Sequence, residues 1–460
     1  MPPSDQVLTV AQMQAAEQAL IDGGESVDSL MLKAGRGAAE WIFRLAVDRP
    51  VTVLCGPGNN GGDGYVIAET LRAWDLPVTV VAPLEPATDA ARNARTAYWG
   101  GFSAVGHGGV FVDCLFGSGL SRPLGDELAG LVRTLAGTHA SCVAVDLPSG
   151  ISSDDGVLLN EDLPRYDLTV ALGAWKFAHR LLPARKAMGE LRLVDIGVAR
   201  VDEAARVISR PALAAPTQDA HKYTRGLLAI VEGPMPGAAA LAASGAVHAG
   251  AGYIKVLGEA SGLPVWAVAD PRPLDEALED RRIAALLVGP GLGRDGAAEA
   301  KLEAALAFDL PTLVDADALH LLNPAMVAGR SAPLVITPHA GEFAALAQAF
   351  GVEAEGRIDA VRALASAVGG VVGAKGPDTL VAGSNGRLAI APPASSWLST
   401  AGTGDVLAGI IASRLASGDD AFAAACHGVW LHGEAARRAG PAFSASELAA
   451  HVSGAYAACL

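Results

Sequence analysis

Three groups in the first half of the chain have residue types and spacings that suit chemistry. The run Gly56-Pro57-Gly58-Asn59-Asn60-Gly61-Gly62-Asp63-Gly64 gathers glycines, two side-chain amides and a carboxylate in one turn. Residues 56 to 61 fit G-x-G-x-x-G, the pattern by which a glycine turn brings backbone amides to a dinucleotide pyrophosphate. No Gly-Lys-Ser/Thr of a phosphate loop accompanies it. Amide oxygens beside a carboxylate suit a polar ligand and a bound cation; the plainer alternative is a tight turn with Asp63 as helix cap. Asp113 and Asp146 end two further apolar runs, Asp146 leading into Leu147-Pro148-Ser149-Gly150. A carboxylate there is costly unless it holds something or caps a turn.

The second half carries a different set. Gly402-Thr403-Gly404-Asp405 opens a segment in which Val406, Leu407, Ile410, Ile411 and Leu415 fall at helical spacing. Backbone amides at a helix start attract anions, and a carboxylate beside them is placed to deprotonate a hydroxyl that attacks a phosphoryl group. The bland reading of Gly-Thr-Gly-Asp alone is a capped helix. Lys375, in Ala374-Lys375-Gly376-Pro377-Asp378-Thr379, stands at a strand end suited to a nucleotide phosphate. Gly289 to Gly293, Asp315, Asp317 and Thr337-Pro338-His339-Ala340-Gly341-Glu342 add polar groups at other strand ends. His339 reads either as a hydrogen-bonded structural residue or as part of the site.

The elements that must position these groups are legible as β-branched runs alternating with helical patterns. In the first half they are 51 to 55, 78 to 81, 110 to 116, 142 to 147, 168 to 172 and 191 to 196. Nearly continuous apolar strands between helices imply a parallel sheet covered on both faces, with ligands beyond its C-terminal edge. Residues 211 to 219, with two prolines and little periodicity, are expected to link a domain of residues 1–210 to one of residues 220–460. Strand patterns resume at 227 to 231 and continue to 388 to 391, with a hairpin expected near 380 and 390. The fold class is α/β throughout: a doubly wound, Rossmann-like parallel sheet, then a second α/β domain.

Composition excludes several functions. With 51% hydrophobic residues the chain can bury more than one core, and disorder is excluded as its main description. A net charge of −15 opposes phosphate backbones and anionic lipid, so neither nucleic acid nor a membrane is expected as partner. Cys55, Cys114, Cys142, Cys426 and Cys459 form no C-x-x-C pair and read as reduced residues. Without a signal-peptide pattern or a long apolar run, a cytoplasmic protein with small-molecule substrates is expected; a homo-oligomer is expected as well.

The Gly56 to Gly64 string, with the Asp113 and Asp146 segments, resembles the NAD(P)H-hydrate epimerase family over roughly residues 8 to 205. Leu32 and Lys33 depart from its usual acidic and amide residues. The resemblance implies that Asn59, Asn60, Gly61, Gly62, Asp63, Gly117, Ser118, Gly119, Leu120, Ser121, Arg122, Pro123 and Asp146 contact the hydrated dinucleotide. It implies that Asn60, Asp113 and Ser149 hold K+. Asp146 is the expected catalytic proton shuttle. Residues 219 to 440, from His221-Lys222-Tyr223 through the Thr-Pro-His-Ala-Gly-Glu segment to Ala-Gly-Thr-Gly-Asp, are similar to the ADP-dependent NAD(P)H-hydrate dehydratase branch of the ribokinase-like superfamily. That resemblance implies that Ala238, Gly293, His339 and Asp405 contact the hydrate, with Asp405 catalytic. It implies that Lys375, Gly376, Pro377, Asp378, Thr379 and Gly404 bind ADP or ATP, with Mg2+ assisting. Where the family has a glycine pair and a serine, this chain has Glu232-Gly233-Pro234-Met235-Pro236-Gly237. The implied function is epimerisation of the R and S hydrates, then ADP-dependent dehydration of the S hydrate. The alternatives are a small-molecule kinase with a regulatory first half, a non-catalytic scaffold, and a dinucleotide-binding regulator.

Overall fold

The computed structural model describes residues 5–259 and 263–460. It falls into two compact units that divide between Ala205 and Arg206. In the first, β1 (Gln6–Leu8) precedes β2 (Val51–Cys55), β3 (Val78–Val81), β4 (Gly101–Phe102), β5 (Gly108–Cys114), β6 (His139–Val145), β7 (Leu168–Leu172), β8 (Trp175–Lys176) and β9 (Glu190–Val194). Seven of these form a parallel sheet in the order β4-β3-β2-β5-β6-β7-β9. Strand order reverses between β2 and β5, and that switch point opens a crevice at the strands' C-terminal ends.

The twofold repeat of each strand explains the layering. Val110, Val112 and Cys114 face one side, in a core with the helices Val27–Ala46 and Asn59–Ala73. Phe111, with Leu54 and Ala144, faces the other and packs on the helix Asp126–Thr138. β1 lies outside this sheet and pairs in parallel with β8, Val7 opposite Trp175 and Leu8 opposite Lys176.

The second unit contains β10 (Ala205–Val207), β11 (Leu227–Val231), β12 (Tyr253–Leu257), β13 (Val268–Asp270), β14 (Ile283–Val288), β15 (Thr312–Val314), β16 (Leu334–Ile336), β17 (Val371–Ala374), β18 (Leu380–Gly383) and β19 (Leu388–Ile390). Their order is β13-β12-β11-β14-β15-β16-β17-β18-β19-β10, with the switch between β11 and β14. The expected hairpin is present: β18 runs antiparallel to β17 and β19. Leu228, Ile230, Leu287 and Leu313 pack beneath the helices Pro236–His248 and Thr403–Ala416.

Two expectations need correction. The expected boundary at residue 210 and linker over 211–219 fall after the observed division. Arg206 and Val207 pair with Ala389 and Ile390, and the Leu213 amide donates to the Cys459 carbonyl at 2.8 Å, so part of that segment is anchored. The glycine-rich turn is also shorter than its sequence suggests. Helix begins at Asn59 with Gly58 as cap, so Asn59 to Asp63 are its first turn and Asp63 is not the cap. All five cysteines are free thiols. Among the described residues no helix is long and apolar enough to cross a membrane.

Candidate active sites

In the first unit the glycine turn is built on backbone proximity. A Cβ on Gly61 would stand 1.9 Å from the Gly56 carbonyl oxygen, and one on Gly56 would stand 1.7 Å from that of Leu115. Only hydrogen fits at either place, and the fit brings the first turn of the helix against the β5 end. Gly61→Ala is therefore expected to destabilise by at least about 1–3 kcal/mol. Gly130→Ala, in a helix with nothing within 4 Å of the new methyl, is expected to stabilise by about 0.5–1 kcal/mol; paired melting curves check both.

The first-turn amides of a helix lack internal acceptors, which makes this end an anion site. The Asn60 side-chain oxygen and nitrogen are buried and have no hydrogen-bond partner in the protein. A methyl on Gly117 would lie 2.8 Å from Asp146 Oδ2 and 3.3 Å from Asn60 Oδ1, so these groups converge. The Ser118 amide donates to Asp146 Oδ2 at 2.8 Å. Asn59 is exposed and accepts from the Thr88 hydroxyl. Ser121, Arg122 and Pro123 are exposed at the end of the segment that follows Gly117.

Asp146 is held by a partner that sequence reading missed. Lys176 Nζ, 1% exposed, donates to Asp146 Oδ1 and to the Leu172 carbonyl, each at 2.6 Å. His179 Nδ1 accepts from the Lys176 amide, and its Nε2 donates to the Asp146 carbonyl at 2.7 Å, which fixes the neutral tautomer. Burial, reinforced by the Lys176 charge, pushes the His179 imidazolium down to about 3. Burial also pushes the Asp146 carboxyl up, but the charge and hydrogen bond of Lys176 more than reverse this and hold it below the ordinary range. Asp63 has the opposite fate: burial, then the charges of Asp146 and Glu17, raise it well above that range. The fold thus pushes the two carboxyls apart, Asp146 toward its ionised form and Asp63 toward its protonated one.

Asp113 is fully buried and saturated. Its oxygens accept from the Leu115 amide (3.1 Å), the Ser149 amide (3.0 Å) and hydroxyl (2.8 Å), and the Tyr166 hydroxyl (2.6 Å). Burial still leaves its carboxyl raised. Asp113 thus braces the ends of β5 and β6, with Ser149 bonded to it; the donors it shares explain how a buried carboxyl is tolerated.

In the second unit the helix Thr403–Ala416 starts from Gly402, in the left-handed region at φ 87°. Gly404 is close enough to Lys375 that a methyl there would lie 3.8 Å from Nζ. Lys375 Nζ donates to Asp315 Oδ1 at 2.6 Å and lies 3.9 Å from Glu342 Oε2. Burial, then the charge of Asp315, pushes the Asp405 carboxyl up to about 6, with Lys375 opposing. A base that loses its proton near neutrality can also take one up there.

His339 is itself a helix cap. Its Nδ1 accepts from the Gly341 and Glu342 amides, while its other ring nitrogen stays 3.2 Å from Glu342 Oε1 on an exposed side. These bonds fit the reading of His339 as a hydrogen-bonded structural residue, and Glu342 lies between it and Lys375. The Gly293 amide donates to Asp317 Oδ2, and Ala238 lies against Gly291, where a methyl would meet its Cβ at 3.0 Å.

Lys375, Gly376, Pro377, Thr379 and Gly404 line a pocket of about 1020 Å³, with Trp397, Trp430 and His432 among its other walls. Asp378 does not line it: its buried carboxylate pairs with the exposed Arg357 guanidinium at 2.6 Å. His432 donates to the Thr403 carbonyl, and burial pushes its imidazolium down to about 4, so it presents a neutral ring. Sequence reading missed His432 and both tryptophans, which sit in ordinary-looking helical or loop context.

Comparison with known proteins supplies the remaining evidence. The YjeF-related protein N-terminus model matches residues 27–178, and the NAD(P)H-hydrate dehydratase model matches residues 228–456. A bifunctional NAD(P)H-hydrate repair enzyme Nnr of Mycobacterium tuberculosis is 37% identical over 89% of each chain. The chain belongs to the bifunctional NAD(P)H-hydrate repair enzyme family. Other members similar to it are those of Mycobacterium leprae, 36% identical over 98% of this chain and 99% of that one, and Salinibacter ruber, 34% over 94% and 92%. A solved ADP/ATP-dependent NAD(P)H-hydrate dehydratase from Bacillus subtilis, co-crystallised with ATP/Mg2+, covers 54% of this chain and 95% of its own. It is 26% identical, with a TM-score of 0.48. The two family matches fall one in each unit, each over one of the residue sets described above.

Proposed function

We propose that the first unit epimerises the R and S hydrates of NADH and NADPH and that the second dehydrates the S hydrate with ADP or ATP. The observation that carries this reading is the pairing, in a repair-family chain, of a split carboxyl pair in one unit with a raised Asp405 beside Lys375 in the other.

Epimerisation inverts the carbon bearing the added hydroxyl. In this reading Asp63 gives its proton to the departing hydroxyl, the C–O bond breaks, and the adjacent ring nitrogen shares the positive charge. Water returns to the opposite face and Asp146 accepts its proton; the pair exchanges roles in reverse. Lys176 keeps Asp146 ionised. The first-turn amides of Asn59, Asn60 and Gly61 orient the dinucleotide phosphates, with the Gly117 to Pro123 segment beside them. Of the three residues implied for K+, Asn60 fits a hard cation through its orphaned side-chain oxygen and would hold it, whereas Asp113 and Ser149 are committed to each other and to Leu115, Phe116 and Tyr166 and do not offer a free ligand. The ion would supply positive charge where strand-end carboxylates gather.

In the second unit Asp405 accepts the hydrate hydroxyl proton as that oxygen attacks the terminal phosphoryl group of ADP. AMP leaves; the phosphate then departs with the C–O electron pair, the neighbouring ring carbon gives up a proton to solvent, and the C–H electron pair forms the double bond of the reduced nicotinamide. Ala238, Gly293 and His339 hold the hydrate, while Lys375, Gly404 and the walls around Gly376, Pro377 and Thr379 hold the nucleotide. Mg2+, when bound, neutralises the phosphates. A homo-oligomer in solution belongs to the same reading, and sedimentation velocity checks it.

The test mixes both hydrate epimers with ADP, Mg2+ and K+ and follows the return of reduced-nicotinamide absorbance. Full recovery that releases AMP and phosphate supports the reading; phosphate transfer to an unrelated alcohol with no absorbance gain overturns it. The rate of dehydration is expected to fall as pH drops below about 6, where Asp405 holds its proton, and a pH–rate profile with S hydrate alone measures that limb.

A further inference from the structure

The first unit has a third carboxyl beside Lys176 that the reaction as written does not use. Glu17 lies on the helix Val10–Asp22, N-terminal to residues 27–178 that the family model matches. That helix is fixed at its start: Thr9 and Gln12 form a reciprocal cap, and Asp154 accepts from the Val10 amide at 2.8 Å. β1, which leads into it, sets Leu8 opposite Lys176. One turn into the helix, Met13 covers the segment between β7 and β8, where a methyl on Gly173 would meet its Cε at 2.5 Å. Glu17 follows Met13 by four residues, so it shares that face one turn further on. Half-buried there, it is raised by burial and by the charge of Asp146, and lowered by that of Lys176. Glu17 in turn is one of the charges that raise Asp63.

We propose that Glu17, on the helix face that covers the segment between β7 and β8, is a positioning residue of the epimerisation centre, acting through Asp63 as the proton donor. The inference rests on the assignment of Asp63 and Asp146 as the acid and base. Three carboxyls around one ammonium cannot all ionise cheaply. Asp146 takes the direct contact with Lys176 and stays charged. Glu17 is less deeply buried than Asp63, so of the remaining two it ionises first, and its charge keeps the proton on Asp63. The other titratable groups facing Asp63 are the Asp146 carboxyl, the Lys176 ammonium and the Cys114 thiol on β5, which burial keeps neutral. His179, beside Asp146, is neutral as well.

The experiment follows exchange between separated R and S hydrates by chromatography, on the full chain without nucleotide, across pH. Glu17→Gln is expected to lower the exchange kcat at least about 10-fold, leave KM within about twofold, and move the alkaline limb to lower pH, because Asp63 then releases its proton more easily. Glu17→Asp is expected to keep both the rate and the limb. Dehydration of S hydrate by the same preparations, and their melting curves, confirm that each variant is folded. A wild-type rate and limb in Glu17→Gln would overturn the proposal, and so would a slower rate with an unmoved limb, which marks packing alone. Asp63→Asn and Asp146→Asn report on the underlying reading: if both exchange epimers as wild type does, the acid–base assignment itself falls, whatever Glu17→Gln shows.

Discussion

Asp405→Asn is expected to cut ADP-dependent dehydration by about 10²–10⁴-fold and, at the same time, to make the second unit more stable. The wild-type carboxyl is raised to about 6, chiefly by burial and then by Asp315. A carboxyl whose folded value lies above its unfolded one stabilises the fold only while protonated. As pH climbs from about 4 through 6, ionisation is resisted more in the folded chain than in the unfolded one, and stability is lost. At pH 7 that loss lies between about 1 and 3 kcal/mol, the lower figure allowing for solvent that reaches the group. Asn is isosteric and uncharged, and Lys375 keeps Asp315 at 2.6 Å. The melting temperature should therefore rise by about 2–12 °C at pH 7, with the difference shrinking toward pH 4. Scanning calorimetry at the two pH values, beside single-turnover AMP release, checks both halves. A variant that keeps wild-type turnover would remove Asp405 as the base.

The other large effect is expected at Lys176→Met. Methionine matches the length of the lysine stem, but it leaves Asp146 buried without its counter-charge. Breaking a buried pair in this way costs about 3–5 kcal/mol, because the remaining charge has no compensation. Lys176 and Asp146 are both nearly inaccessible, and Lys176 also satisfies the Leu172 carbonyl. Melting of the first unit should fall by about 6–20 °C, and epimer exchange should be lost. The second unit keeps its own chemistry, so recovery of absorbance from a mixed hydrate should stall at the fraction already present as S hydrate. Recovery that runs to completion at the wild-type rate would show that Lys176 is dispensable.

The strands that place these groups were legible because burial on both faces leaves an uninterrupted apolar signature. The runs at 51 to 55, 78 to 81, 168 to 172 and 227 to 231 coincide with β2, β3, β7 and β11. β1, β4, β8, β10 and β13 were not legible: each is two or three residues long and one of those is a glutamine, glycine, lysine, arginine or aspartate, which breaks the apolar run. Missing β8 meant missing Lys176, which in sequence is one lysine between Trp175 and Phe177. A cation flanked by aromatics in an apolar stretch was the available signal. The acids of the site could be read from a strand end and a glycine-rich turn, but the opposite shifts of Asp63 and Asp146 could not, since they depend on the charges and hydrogen-bond donors that the fold sets beside each. The boundary was misjudged for a related reason: proline and low periodicity around residue 211 mark irregular backbone, and irregular backbone can still be pinned, as Leu213 is to Cys459.

Asp146 adopts a φ of 63°, in the left-handed region that few side chains tolerate. Asp, Asn and Gly enter it at small cost, and most other residues do not. The turn and the acid therefore impose separate demands on one position. A descendant that no longer needed the reaction could drift to Asn or Gly there and keep its backbone, while Lys176 would lose its counter-charge and come under pressure to change in turn. Inactive copies of this domain should thus show paired decay at 146 and 176, a mark that can be read from their genes before any protein is made.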